Sequence, residues 1–182
     1  MSTELILGGA RSGKSTLALQ RAQASGKAVT FIATAHAGDA EMAARIEQHR
    51  AERPTHWALV EEPVALAEAL LQHAAPQRCL LVDCLTLWLS NLLSDEHFDN
   101  QRFVSQRDAL LQTLPQLPGQ LIMVSNEVGL GITPLGEVSR RFVDEAGRLH
   151  QQLATLCHRV TFIAAGLPLT LKPQCPEGTD SG

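Results

Sequence analysis

The sequence lacks the excess of positive charge that general nucleic-acid binding requires. Its 182 residues include 15 lysines and arginines against 19 aspartates and glutamates, for a formal net charge of −4, and the isoelectric point is near 5.9. Proteins that hold nucleic acid through many phosphate contacts present a basic face. The composition therefore disfavours nucleic-acid binding, and any phosphate must be held by local groups.

Membrane and secretion signals are also missing. No apolar run approaches the roughly 18 to 20 residues that span a bilayer. Met1 leads directly into a strand-like segment, without the basic and apolar regions of a signal peptide. We therefore expect a cytoplasmic protein without a membrane span.

The C-x-x-C spacing is typical of metal and redox sites, and the cysteines of this sequence do not have it. Three of the four lie in apolar segments, where a free thiol behaves as a small hydrophobic side chain. We favour packing over metal binding for Cys79, Cys84, Cys157 and Cys175.

The length and the 45% hydrophobic content fit one compact domain. We assign it to residues 1–172. Residues 173–182 contain Pro173, Pro176, Gly178 and Gly182, and we expect a flexible tail there.

Short runs rich in valine, isoleucine and leucine alternate with segments of helical pattern. This alternation is typical of a parallel sheet covered by helices. The predicted strands are Glu4–Leu7, Ala28–Ala33, Cys79–Asp83, Leu121–Ser125 and Val160–Ala164. The predicted helices are 14–24, 39–52, 63–74, 85–94, 101–114 and 137–157.

The segment GGARSGKS after the first strand matches the P-loop pattern G-x-x-x-x-G-K-[ST]. Glycines let successive backbone N–H groups surround phosphate oxygens at the start of a helix. Lys14 is predicted to reach the β and γ phosphates, and Ser15 to bind Mg²⁺. The nucleotide-binding loop comprises Gly8, Gly9, Ala10, Arg11, Ser12, Gly13, Lys14 and Ser15. We therefore predict the fold class as α/β, a three-layer P-loop NTPase of the RecA-like type with a mostly parallel sheet.

Asp83 ends a buried-type strand, CLLVD, and carboxyl ends of parallel strands face the ligand crevice. It is the candidate second Mg²⁺ ligand. A solvated carboxylate at a strand end is the alternative.

His49 lies on a predicted helix face with Met42, Ile46 and Arg53. It could be a surface or packing residue, a cation at a helix end, or a nucleophile toward phosphorus. Neighbouring arginines favour binding of phosphate and a neutral, nucleophilic imidazole, although they could also form a solvated basic face.

Several segments in this order resemble the adenosylcobinamide kinase/adenosylcobinamide-phosphate guanylyltransferase family of cobalamin biosynthesis, from about Leu5 to Lys172. The segments are GGARSGKS, EMAARIEQHRAERPTHW, VDCLTLWLSNLL, VSNEVGLGITP, RRFVDEAGRLHQQLA and AAGLPLTLK. The resemblance implies phosphorylation of the aminopropanol hydroxyl of adenosylcobinamide with ATP or GTP. It also implies transfer of GMP from GTP to that phosphate, with release of pyrophosphate.

The resemblance implies a guanylylated histidine, and His49 is the match. Gln48 precedes it, where members of the family can carry a second histidine. The resemblance further implies Mg²⁺ as the cofactor, a corrinoid substrate and a homo-oligomer, with a trimer as one arrangement. Residues expected at the GTP site by position in the family pattern are Thr34, Ala35, His36, Arg50, Ala51, Glu52, Arg53, Glu61 and Asp83.

Glu127 begins a loop after the strand that ends at Ser125. It could accept the proton of an attacking hydroxyl, or it could order the loop through hydrogen bonds.

Two other functions remain open from the residues alone. A monofunctional P-loop small-molecule kinase would use Lys14, Ser15 and Asp83 and leave His49 idle. A nucleotide-dependent switch ATPase or GTPase is the other, but the sequence has no N-K-x-D base-reading motif.

Overall fold

The computed structural model describes residues 2–35, 53–93 and 99–173. They form seven strands: β1 Ser2–Gly8, β2 Ala28–Ala33, β3 Ala58–Glu61, β4 Arg78–Asp83, β5 Gln120–Asn126, β6 Arg159–Ala164 and β7 Leu167–Lys172. The helices are α1 Lys14–Ala24, α2 Leu66–His73, α3 Leu85–Leu93, α4 Asn100–Thr113, α5 Glu137–Leu156 and a short 3₁₀ helix Leu114–Gln116.

The strands form one sheet in the order β3-β2-β4-β5-β1-β6-β7. Strands β1 to β6 are parallel, and β7 pairs antiparallel with β6. The central strands read as continuous apolar runs because both of their faces are covered. In β1, the side chains of Leu5, Ile6 and Leu7 are all buried.

Two hydrophobic clusters lie on opposite faces of the sheet. On one face, Ala18 and Ala22 of α1 pack with Ile6, Ile122 and Val124. Their spacing of four residues gives α1 a narrow, small-residue stripe that approaches the strands closely. The other face carries the larger cluster, to which α2, α3, α4 and α5 contribute. The result is three layers.

All five predicted strands and five of the six predicted helices are confirmed, with ends shifted by at most three residues. The predicted helix 39–52 lies outside the described residues, as does nearly all of the predicted tail. Strands β3 and β7, the two edge strands, were not predicted from the sequence. Among the described helices, none has the length and apolar character needed to cross a membrane.

Candidate active site at the carboxyl edge of the sheet

The carboxyl ends of the parallel strands meet at one edge of the sheet. Gly8 at the end of β1 pairs in register with Asn126 of β5. Asp83 at the end of β4 pairs with Val124 of the same strand. Because β5 separates β1 from β4, Asp83 stands two strand spacings, about 10 Å, across the sheet from the P-loop.

The P-loop adopts conformations that few side chains tolerate. Gly13, which precedes α1, has φ of +96°, and Arg11 has φ of +54°. The backbone N–H of Ser12 donates to the carbonyl of Gly9 at 3.3 Å. The tip of the loop, Ala10 and Arg11, is exposed. The loop therefore presents its backbone to solvent at the N-terminus of α1, as an anion site requires.

Two distant segments support this loop. The N–H of Gly166, in the two-residue turn between β6 and β7, donates to the carbonyl of Ser12 at 2.9 Å. The N–H of Glu127, just after β5, donates to the carbonyl of Gly8 at 3.0 Å. Both residues of the β6–β7 turn have positive φ, which is typical of a tight hairpin. The AAGLPLTLK segment thus supports the P-loop through the hydrogen bond from Gly166 to Ser12.

Lys14 is buried at the start of α1, with 8% of its surface exposed. Its Nζ atom donates to the Gly9 carbonyl at 2.9 Å. Burial lowers the pKa of the Lys14 ammonium, and the nearby Asp83 carboxylate opposes that shift. Lys14 therefore stands at the same edge of the sheet as Asp83, which ends β4.

Ser15 and Asp83 provide the donor set that Mg²⁺ prefers, a hydroxyl and a carboxylate. Both side chains are partly buried, so they are held by the loop and by β4 while remaining reachable by a ligand. Their chemistry therefore fits the predicted metal.

Thr34, just after β2, is fully buried. Its hydroxyl donates to the carbonyl of Cys84 at 2.7 Å and accepts from the Cys84 N–H at 3.0 Å. The carbonyl of Thr34 accepts from Asn91 at 2.8 Å. This side chain holds the ends of β2 and β4 together, and Ala35 follows it at the edge of the sheet.

Glu61 ends β3, four strand spacings from β1, or about 19 Å. It is exposed, and at this distance it can contact only a part of a nucleotide remote from the P-loop. The guanidinium of Arg53 lies 5.0 Å from the centre of the Phe31 ring on β2, which stabilises the arginine beside that strand. His36, His49, Arg50, Ala51 and Glu52 lie outside the described residues.

Glu127 makes the loop-ordering contact considered from the sequence. Its Oε1 atom accepts the N–H of Gly129 at 2.7 Å. Its Oε2 atom lies 3.6 Å from Nδ1 of His150 on α5. The carboxylate is therefore held between its own loop and a buried helix face.

His150 and Ser125, whose side chains are hydrogen-bonded at 2.8 Å, were not predicted as site residues from the sequence. A signal was present, since His150 interrupts the buried stripe that Ala146, Leu149 and Leu153 form at helical spacing. The hydrogen bond between Gly166 and Ser12 has no such signal in the sequence, because the two residues are 154 positions apart.

The described cysteines Cys79, Cys84 and Cys157 are free and buried. Burial raises the pKa of Cys79 and Cys84 to about 11 and that of Cys157 to about 12. Their thiols therefore stay protonated and pack as apolar groups.

The fold and the loop define a P-loop NTPase. Two solved structures share the fold at low sequence identity. A Pyrococcus horikoshii OT3 protein, "Structural study of Project ID PH0250", has a TM-score of 0.57 and 10% identity, covering 97% of this chain and 88% of its own. The RadB recombinase has a TM-score of 0.52 and 18% identity, covering 88% and 73%. They confirm the predicted fold class.

The family model "Cobinamide kinase / cobinamide phosphate guanyltransferase" matches residues 4–171. A Pseudomonas aeruginosa protein, "Bifunctional adenosylcobalamin biosynthesis protein CobP", is 62% identical over 93% of this chain and 96% of its own length. The Escherichia coli K12 protein "Bifunctional adenosylcobalamin biosynthesis protein CobU" is 37% identical over 92% and 98%. The chain belongs to the cobinamide kinase/cobinamide phosphate guanyltransferase family, and the predicted enzyme class is confirmed.

Proposed function

We propose that this enzyme phosphorylates the hydroxyl of adenosylcobinamide and then transfers GMP from GTP onto the new phosphate. The products are adenosylcobinamide-GDP and pyrophosphate. The observation that carries the proposal is the P-loop with Lys14 and Asp83 at one edge of the sheet, in a chain whose family match spans residues 4–171. The family description names both activities, whereas a kinase alone would account for only one.

In the kinase step, the backbone N–H groups of the P-loop and the Lys14 ammonium bind the phosphates of ATP or GTP. Ser15 and Asp83 would hold Mg²⁺. When bound, the metal supplies positive charge that offsets the negative charge developing on the phosphates. Glu127 accepts the proton of the attacking corrinoid hydroxyl, and the γ-phosphorus–oxygen bond to the departing nucleoside diphosphate breaks.

The acceptor enters beside Glu127 in this proposal. A groove of about 220 Å³ lies between residues 128–134 and the first turns of α5. Leu130, Ile132 and Leu135 next to it are almost fully exposed. The groove begins at Val128, the residue after Glu127, and its exposed apolar rim suits a large corrinoid whose polar arm reaches toward that carboxylate.

In the second step, His49 is the nucleophile. An imidazole nitrogen attacks the α-phosphorus of GTP, the bond to the β-phosphate oxygen breaks and pyrophosphate leaves. An oxygen of adenosylcobinamide phosphate then attacks the same phosphorus and breaks the phosphorus–nitrogen bond. A covalent intermediate divides one difficult transfer into two easier ones. Arg50 and Arg53 stabilise the phosphates, and the P-loop holds the departing pyrophosphate.

We further propose that the enzyme works in the cytoplasm as a homo-oligomer. Light scattering of the purified protein gives its mass directly. A mass near 19.7 kDa, that of a single chain, would overturn the oligomer.

Two sequential assays test the reaction. Adenosylcobinamide, Mg²⁺ and ATP are supplied first, and the corrinoid is analysed by mass spectrometry for added phosphate. GTP is then added, and both pyrophosphate and the GDP-linked corrinoid are measured. We expect both products. Phosphorylation of the corrinoid without release of pyrophosphate would indicate a monofunctional kinase. Nucleotide hydrolysis without any corrinoid product would indicate a switch ATPase.

A further inference from the structure

A chain of buried polar groups runs from the start of α3 to α5. The N–H of Asn126 donates to Thr86 Oγ1 at 2.6 Å, and that oxygen lies 3.1 Å from Ser125 Oγ. Ser125 Oγ in turn lies 2.8 Å from Nε2 of His150. Thr86, Ser125 and His150 are all at least nine-tenths buried. The chain thus joins the helix that follows Asp83 to the strand that leads into Glu127.

The Glu127 carboxylate fixes the direction of these hydrogen bonds. An Nδ1–H group facing Oε2 is attractive, whereas a bare Nδ1 lone pair would face a negative oxygen. Nε2 then carries no proton and accepts a hydrogen bond from the Ser125 hydroxyl. Ser125 Oγ in turn accepts a hydrogen bond from the Thr86 hydroxyl. Thr86 in turn accepts only from Asn126. Both hydroxyl donors, those of Thr86 and Ser125, are used in this one arrangement.

One link in the chain is open. Nδ1 of His150 is buried and has no hydrogen-bond partner within the described part of the chain. The nearest acceptor described for it is Oε2 of Glu127 at 3.6 Å, which is ion-pair distance and slightly longer than a hydrogen bond. Buried polar atoms in this state need an explanation, and catalytic hydrogen bonds are often long until substrate is bound.

We propose that His150 is a positioning residue for Glu127 in the phosphoryl-transfer step. When the corrinoid hydroxyl is in place, the 3.6 Å gap closes into an Nδ1–H to Oε2 hydrogen bond, while Gly129 holds Oε1. The carboxylate is then fixed from both sides and keeps a lone pair for the substrate proton. This inference rests on the proposed role of Glu127 as the base, and it leaves the guanylyl transfer independent of His150.

Two isosteric variants separate the two nitrogens. His150→Asn places an amide near the Nδ1 position and retains a donor toward Glu127. His150→Gln places its amide near the Nε2 position and retains only the link to Ser125. We expect the Gln variant to lose about tenfold or more in kcat of the kinase step, with KM for the nucleotide unchanged. The Asn variant should recover most of that loss.

Guanylyl transfer to pre-formed adenosylcobinamide phosphate is the internal control and should stay unchanged in both variants. His158→Gln is the matched control variant, because that histidine bonds a hydroxyl, Thr3 Oγ1 at 2.7 Å, at the opposite edge of the sheet. A Gln variant as active as wild type would overturn the inference. So would an Asn variant as impaired as Gln, or a parallel fall in both activities.

Glu127→Gln distinguishes the positioning role of His150 from the proposed role of Glu127 as the base. If that variant keeps full kinase activity, the proposed base itself is wrong. If it loses activity and the His150 variants do not, only the positioning role fails.

Discussion

The Nζ atom of Lys14 donates a hydrogen bond to the carbonyl oxygen of Gly9, at 2.9 Å, within its own loop. The ammonium is therefore held at the mouth of the loop by a neutral acceptor. Because charge-assisted bonds to phosphate are roughly twice as strong as bonds between neutral groups, an incoming nucleotide would take over this donor. The loop binds its own cation until the substrate arrives.

Removing this charge should affect chemistry far more than folding. Lys14→Met keeps much of the apolar stem and removes the buried ammonium, whose pKa burial already lowers. We expect kinase kcat to fall about 100-fold or more, with thermal stability without nucleotide unchanged or slightly raised. Initial rates and melting curves with and without ATP measure both effects. A variant that retains nucleotide-dependent stabilisation and normal turnover would contradict the role of Lys14.

Gly8 and Gly9 form a matched pair for the packing of the loop. A Cβ on Gly8 would lie 2.5 Å from Ser12 Oγ and 2.7 Å from the carbonyl of Ile163, whereas a Cβ on Gly9 meets nothing within 4 Å among the described atoms. We expect Gly8→Ala to lower the free energy of unfolding by about 1–3 kcal/mol. Gly9→Ala should change it by less than about 0.5 kcal/mol. Urea denaturation measures the two values. Equal losses would refute the close contact between Gly8 and the carbonyl of Ile163 on β6.

Thr34 should prove essential to stability through its hydroxyl. Thr34→Val leaves the buried N–H of Cys84 without its partner, and it removes one of the two donors to the Cys84 carbonyl, which the Trp88 N–H still reaches at 3.2 Å. We expect a loss of about 2–4 kcal/mol in the free energy of unfolding. Thr34→Ser retains the hydroxyl and is the control, with a loss of about 1 kcal/mol from the missing methyl group. A Val variant as stable as the Ser variant would refute this linkage between β2 and β4.

His150 predicts a pH dependence of stability. Burial lowers the pKa of its imidazole, and the charge of Glu127 opposes this shift. The unfolded chain therefore takes up the proton first, so the contribution of neutral His150 is complete above about pH 6.5 and is lost as the pH falls toward the folded-state pKa.

The measurement is the free energy of unfolding at pH 8, 6.5 and 5.5, in wild type and His150→Gln. The wild type should lose stability relative to the variant below pH 6.5, by up to about 1.4 kcal/mol per pH unit. Parallel curves would mean that the imidazole titrates equally in the folded and unfolded states.

The sequence predicted the strands that are buried on both faces and missed the two at the edges. β3 has only four residues, and three of them are exposed. β7 contains Pro168, which suits an edge strand but weakens a strand pattern, and its leucines Leu167, Leu169 and Leu171 are more than half exposed. Edge strands lack the continuous apolar pattern by which buried strands are recognised.

The residues of the candidate site also fall into those that local sequence predicts and those that it does not. The P-loop is predictable because its glycines and lysine are adjacent in sequence. Thr34 was assigned by family pattern, yet its bonds to Cys84 are tertiary contacts that span 50 residues. His150 approaches Glu127 only because α5 packs on the face of the sheet against β1 and α3, so no local sequence pattern indicates that contact.

The labelling of His49 tests the central claim most directly. The protein is incubated with Mg²⁺ and GTP labelled at the α-phosphate, quenched, and examined for label that is stable in alkali and lost in acid, as expected of a histidine phosphoramidate. His56→Ala is the matched control, because His56 is an exposed histidine near the same segment. We predict label on the wild type and on His56→Ala, and none on His49→Ala or with GTP labelled at the γ-phosphate. Unlabelled wild type, or label that persists in His49→Ala, would contradict the account.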